Sequence, residues 1–171
     1  MMFWWKVRNF WGLLRGVGDL ARGSMRPVGR LKVVVTRADG GREDFGLAST
    51  RVVTTAGVNA IVDAFQGAFT LADFKYHGMG TNSTAESASD TALGAQVETR
   101  ATGTQTEGGS ANVYRTVATI TATATRAITE HGLFSAATGG TLLDRSVFST
   151  INLSSGDSIQ FTYELTVPSG S

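Results

Sequence analysis

Two stretches of this 171-residue chain alternate with a period of two, and no other feature limits its fold as strongly. In Val113–Thr125, Tyr114, Thr116, Ala118, Ile120, Ala122 and Ala124 share one side. Val113, Arg115, Val117, Thr119, Thr121, Thr123 and Thr125 share the other. Near the end of the chain, Ile159, Phe161, Tyr163, Leu165 and Val167 alternate with Gln160, Thr162, Glu164 and Thr166. Successive side chains of a strand point to opposite faces, so both stretches read as half-buried strands. The 21 Gly and 23 Thr favour turns and strands over a helical bundle.

The remaining strands follow from β-branched runs bounded by turn residues. Leu31–Arg37 leads through the hairpin signal Asp39-Gly40-Gly41 into Arg42–Ala48. Phe74–Met79, Glu98–Thr106, Ile128–Phe134 and Leu142–Phe148 complete the set, with turns at Thr138-Gly139-Gly140 and Ser154-Ser155-Gly156-Asp157. Gly80–Asp90 reads as a polar loop without core residues. One short helix fits Thr54–Phe65: Thr54 or Thr55 caps it, Val58, Ile61, Val62 and Phe65 form its apolar stripe, and Gly67 ends it. The pattern predicts a mainly β chain, an antiparallel β-sandwich of jelly-roll or Ig-like type. Periodicity does not separate sandwich from barrel.

Residues 1–27 follow a different rule. All three Trp lie in the first eleven residues, and Phe3, Val7, Phe10, Leu14, Val17 and Ala21 recur at helical spacing. This predicts an amphipathic helical arm, weakened by Gly12, Gly16 and Gly18, ahead of a body over 28–171. Charge divides the same way: residues 1–32 carry a net +6 and residues 33–171 a net −5. Lys6, Arg8 and Arg15 interrupt the apolar run too early for a membrane span, and aromatics ahead of scattered charges do not suit a signal peptide. Three burials compete for the aromatic stripe: its own domain, another protein, or a membrane surface. We take the second, with Phe3, Trp4, Trp5, Phe10, Trp11 and Leu14 as anchors and Arg8 and Arg15 as a polar rim. Phosphate contact by the basic residues is the weaker use, because the charges alternate with large aromatics and the body is acidic. The pattern argues against nucleic acid and membrane as partners.

Few residues invite chemistry. The absence of Cys removes disulfides, thiolate metal sites and cysteine nucleophiles. Glu130-His131 is the one adjacent acid–His pair, and strand neighbours face apart, so we expect strand-end structural roles rather than a catalytic pair. His77 precedes a Gly pair but no Gly-Lys-Ser/Thr follows. His77 and His131, 54 positions apart, make a poor metal set. Asp39, Glu43 and Asp44 suit turn geometry, and Asp73 and Asp90 match no calcium-loop spacing. No enzyme, cofactor or metal is expected.

A longer pattern carries a resemblance. Tyr76-His77-Gly78-Met79-Gly80-Thr81-Asn82-Ser83-Thr84, then Ser89-Asp90-Thr91-Ala92-Leu93 and Glu98, resembles the "G-x-G-T-x-x-T … D-T-A-L-x-x-E" opening of a group of small tailed-bacteriophage structural proteins. Ala127–Ala136, Gly139–Phe148 and Ile151-Asn152-Leu153 … Gly156–Tyr163 are similar to the same group. The likeness covers somewhat more than half the chain and leaves out the arm. It implies a non-enzymatic virion component, decorating or cementing the capsid or belonging to tail, neck or fibre. Partners would be other virion proteins, such as major capsid or neck and tail subunits, and further copies of itself. Assembly in the host cytoplasm would agree with the lack of Cys. A different expectation is a receptor- or carbohydrate-binding sandwich, which needs exposed aromatics on the body.

Overall fold

The computed structural model describes residues 27–169. Among these, the order is β1 (Val28–Thr36), β2 (Arg42–Val52), α1 (Thr55–Phe65), a 3-10 turn (Leu71–Asp73), β3 (Tyr76–Gly80), β4 (Gln96–Thr102), β5 (Thr104–Glu107), β6 (Val113–Thr121), β7 (Arg126–Phe134), β8 (Leu142–Leu153) and β9 (Ser158–Thr166). Two antiparallel sheets result, one ordered β2-β1-β9-β6-β5 and the other β4-β3-β7-β8. Leu31, Val33, Phe161 and Tyr163 from the first sheet and Met79, Ile128, Leu133 and Leu153 from the second join in one core. The mainly β, sandwich expectation is met at that level. The expected arm, with Phe3, Trp4, Trp5, Arg8, Phe10, Trp11, Leu14 and Arg15, lies outside the described residues.

Alternation explains the central strands. In β1, Leu31, Val33 and Val35 are buried while Arg30, Lys32 and Thr36 face water. In β9, Ile159, Phe161 and Tyr163 are fully buried. Val167, expected beside them, lies past the strand end and is 40% exposed. The β1–β2 turn forms as its residues dictate: the Arg37 amide donates to Gly41 O at 2.7 Å and the Gly41 amide to Asp39 Oδ1 at 2.8 Å. Asp44 serves turn geometry in the same way, accepting from the Gly46 amide at 2.8 Å.

Several elements depart from expectation; Glu98–Thr106, read as one strand, breaks at Gly103 into β4 and β5 of different sheets. The run Val113–Thr125 stops pairing at Thr121, because the chain turns there and Glu98 captures the Thr123 amide and hydroxyl. Strand β2 continues to Val52, with two register shifts against β1 that break its alternation. Phe45 and Leu47 are left exposed on it.

Helix α1 begins as expected, with Thr54 Oγ1 accepting from the Gly57 amide at 2.9 Å. Gly67, at φ +73°, follows it in the left-handed region that glycine tolerates. Its orientation corrects the sequence reading. Gly57 and Ala60 are the buried residues, Ile61 is half-buried, and Val58, Val62 and Phe65 point outward. Gly57 decides this: a Cβ there would stand 2.6 Å from the Leu143 carbonyl oxygen. The helix lies so close to β8 that only its smallest residues fit beneath it.

Candidate functional site

The sheet pairings gather most of the chemistry-bearing side chains into two buried networks on opposite faces of the β4-β3-β7-β8 sheet. On the inner face, β3 and β7 run side by side with Met79 opposite His131 and His77 opposite Leu133. This brings two histidines 54 positions apart into contact, His77 Nδ1 to His131 Nε2 at 3.0 Å. His77 Nε2 lies 3.1 Å from Thr116 Oγ1 across the sandwich, and the His131 ring lies 4.6 Å from that of Phe161. Both histidines are fully buried, and His131 Nδ1 has no hydrogen-bond partner. His131 is thus a mid-strand core residue and not the strand-end residue the sequence suggested.

Burial, which penalises the imidazolium, lowers His77 to about 3. The same desolvation, joined by repulsion from His77, holds His131 well below the ordinary histidine range. Both are neutral at physiological pH. Each proton added would place a charge in an apolar interior.

Asp144 and Ser146 of β8 belong to the same face, opposite Leu133 and His131. Ser146 Oγ donates to Asp144 Oδ1 at 2.9 Å. Desolvation raises the Asp144 carboxyl to about 7 and pushes the Tyr163 phenol well above its usual value. Both converge on Gly29, where an added Cβ would meet Asp144 Oδ2 at 2.5 Å and the Tyr163 hydroxyl at 3.0 Å. Residue 29 is glycine because the carboxyl and phenol fill the space of a side chain.

A serine, two histidines, an aspartate and a tyrosine in one cluster invite comparison with a nucleophilic relay. The hydrogen bonds are wrong for one. The Ser146 hydroxyl donates to the Asp144 carboxyl and not to either histidine, so the groups do not line up as serine to histidine to aspartate. The shallow open depressions at Arg37, Asp39 and Asp157 and at Leu71, Gln105 and Tyr114 lie elsewhere and reach none of these groups. The cluster can order the two sheets against each other.

On the outer face, Glu130 is fully buried and accepts from the Ala95 amide at 2.7 Å, the Gly94 amide at 3.0 Å and Arg145 Nε at 2.8 Å. Arg145 extends to Asp90 at 3.0 Å and the Thr84 carbonyl at 3.1 Å. These contacts lash residues 81–95 over the sheet, where Leu93 packs with Phe134 and Leu142. The sequence reading that Glu130 and His131 face apart is right. It missed Arg145 as the partner, which lies 15 positions away on β8 next to the pairing of Glu130 with Val147. Asp90, considered for calcium, is instead engaged by Arg145 and the Ser87 amide. Among the described residues, no group of three or more His, Cys, Asp or Glu is placed to hold a metal ion.

The surface adds one more feature. Val58, Val62 and Phe65 on α1 are 41%, 52% and 88% exposed, and Leu71 in the adjoining 3-10 turn is also exposed. Residues 53–74 contain no Lys or Arg and two acids, Asp63 and Asp73. The expected anchors at Phe3–Arg15 lie outside the described residues. The signal for the α1 face was present in the sequence: Ala56, Gly57, Ala60 and Ala64 form a small-residue stripe, the mark of close packing. Among the described residues no helix is long and apolar enough to cross a membrane. No family model matches the chain, no curated protein matches it, and no solved structure matches it.

Proposed function

We propose that this chain is a non-enzymatic structural protein of a tailed-bacteriophage virion, decorating or cementing the capsid by docking its aromatic N-terminal arm on partner subunits. The body acts as a rigid sandwich of jelly-roll or Ig-like type. Residues Phe3, Trp4, Trp5, Phe10, Trp11 and Leu14 enter the partner, and Arg8 and Arg15 rim the contact. The reading rests on the resemblance spread over residues 74–167. It is supported by the way the body spends its polar groups. Its histidines and its most buried acids lie inside or beneath loops, bonded to one another and to backbone, and none is presented to a ligand. A tail, neck or fibre location would use the same body.

A receptor- or carbohydrate-binding reading requires aromatic platforms on the body. Phe134, Phe148, Phe161 and Tyr163 are buried, and the exposed rings of Phe45 and Phe65 lack the hydroxyl or indole N–H that sugar platforms commonly add. The test is direct. Purified particles encoding the chain are analysed by mass spectrometry and imaged, beside particles carrying the full chain with Trp4→Ser, Trp5→Ser and Trp11→Ser. The proposal expects a fixed copy number in the first and loss of the subunit from the second. Absence from the first, or undiminished incorporation in the second, overturns it.

A further inference from the structure

Resting on that reading, we propose that the bare face of α1 is the seat for the N-terminal aromatic segment of a neighbouring copy of this chain. Val58, Val62 and Phe65 follow one another at spacings of four and three, which sets them on one narrow helix face. The body makes no use of this face, since α1 meets β8 through Gly57 and Ala60. An almost fully exposed Phe beside two half-exposed valines is the kind of contiguous apolar patch that marks an interaction site.

Charge points to the occupant. The body that carries the patch is acidic as a whole, a net −3 over residues 27–171 from the chain's +1 less the +4 of residues 1–26. Residues 1–26 carry Lys6, Arg8, Arg15, Arg22 and Arg26 against Asp19 alone. Their apolar positions Phe3, Val7, Phe10 and Leu14 repeat the four-three spacing that α1 presents, the spacing of an amphipathic stripe. Pairing of two α1 faces is a poorer solution. It would bury only these few side chains, well short of the roughly 800 Å² per partner of a standard interface. The rings of Phe3, Trp4, Trp5, Phe10 and Trp11, each able to bury about 150–250 Å², supply the missing area.

A segment laid on its own α1 would close each molecule on itself and leave nothing to join a neighbour. Donated to the next copy, the same contact is heterologous and propagates round a ring, with each copy both giving a segment and receiving one.

Light scattering on the isolated full chain tests this without any particle. The wild type is expected at a multiple of 18.0 kDa. Phe65→Asp and Val62→Asp are each expected at 18.0 kDa with unchanged circular dichroism spectra at low temperature, because both positions are exposed. A monomeric wild type, or oligomers unaffected by both substitutions, overturns the proposal. The source of the segment is read from a Val7→Cys, Val62→Cys double variant in this otherwise cysteine-free chain. Oxidation should give a ladder of multiples of 18.0 kDa on a non-reducing gel. A cross-linked species that stays at 18.0 kDa shows the segment on its own body and overturns the exchange between copies. Failure of particle incorporation with an intact ladder would remove the virion reading and leave this contact standing; the reverse result would do the opposite.

Discussion

Acid should weaken this protein through its interior before its surface carboxylates titrate, and Asp144→Asn should make the loss larger. In the unfolded chain His77 and His131 titrate near 6.5, whereas both stay neutral in the fold at pH 5. The unfolded state therefore binds more protons as pH falls, and stability falls with it. Between pH 7 and pH 5 each histidine accounts for about 2 kcal/mol, or about 4 kcal/mol for the pair. Asp144 works the other way. Its folded value of about 7 exceeds the unfolded 3.8, so its contribution is full below pH 3.8 and is lost as pH rises through 7. From pH 7 to pH 5 it returns about 2 kcal/mol, leaving a net loss of about 2 kcal/mol. In Asp144→Asn that return is gone, and the same interval should cost about 4 kcal/mol. The carboxylates of Glu43, Glu98, Asp157 and Glu164, held low in the fold by basic or hydrogen-bonding partners, lose their contribution chiefly below pH 5, and what they lose above it is common to wild type and variant. Urea denaturation at pH 7, 6 and 5 measures both slopes. A variant with the wild-type pH dependence, or a wild type that gains stability on acidification, refutes the reasoning.

Two further substitutions examine other parts of the interior. Gly57→Ala places a methyl 2.6 Å from the Leu143 carbonyl oxygen and should cost about 1–3 kcal/mol in thermal or urea unfolding as α1 is pushed from β8. Glu130→Gln leaves Arg145 without its buried anion and should cost about 3–5 kcal/mol. Its signature is faster hydrogen exchange at the Gly94 and Ala95 amides, which Glu130 holds; unchanged protection there would show that the loop is fastened by other contacts.

The legible parts of this fold are those where one face of a strand is apolar and the other is not. β1, β6 and β9 alternate cleanly, because each packs one side on the core and turns the other to water. β7 and β8 do not, since the loop over residues 81–95 covers their outer face and buries Glu130 and Arg145 as well. β2 hides its alternation behind two register shifts. The helix was placed correctly but turned to the wrong side. Hydrophobicity ranks Val and Phe as core residues, while the tight approach to Leu143 admits only Gly and Ala. The buried networks were the least visible, because His77 meets His131 through the pairing of β3 with β7, and Asp144 meets Tyr163 and Gly29 across the two sheets, neither of which local spacing records.

The central claim is that the opening aromatics are covered by a neighbouring molecule and not by the chain that carries them. Because all three Trp lie within the first eleven residues, tryptophan emission reports on that segment alone. Full-length protein followed by emission and acrylamide quenching, across a dilution series that takes it from assembly to the 18.0 kDa monomer, tests the claim directly. The account predicts blue-shifted, shielded tryptophans in the assembly that become red-shifted and quenchable as copies separate. Tryptophans that stay blue-shifted and shielded in the monomer would contradict it.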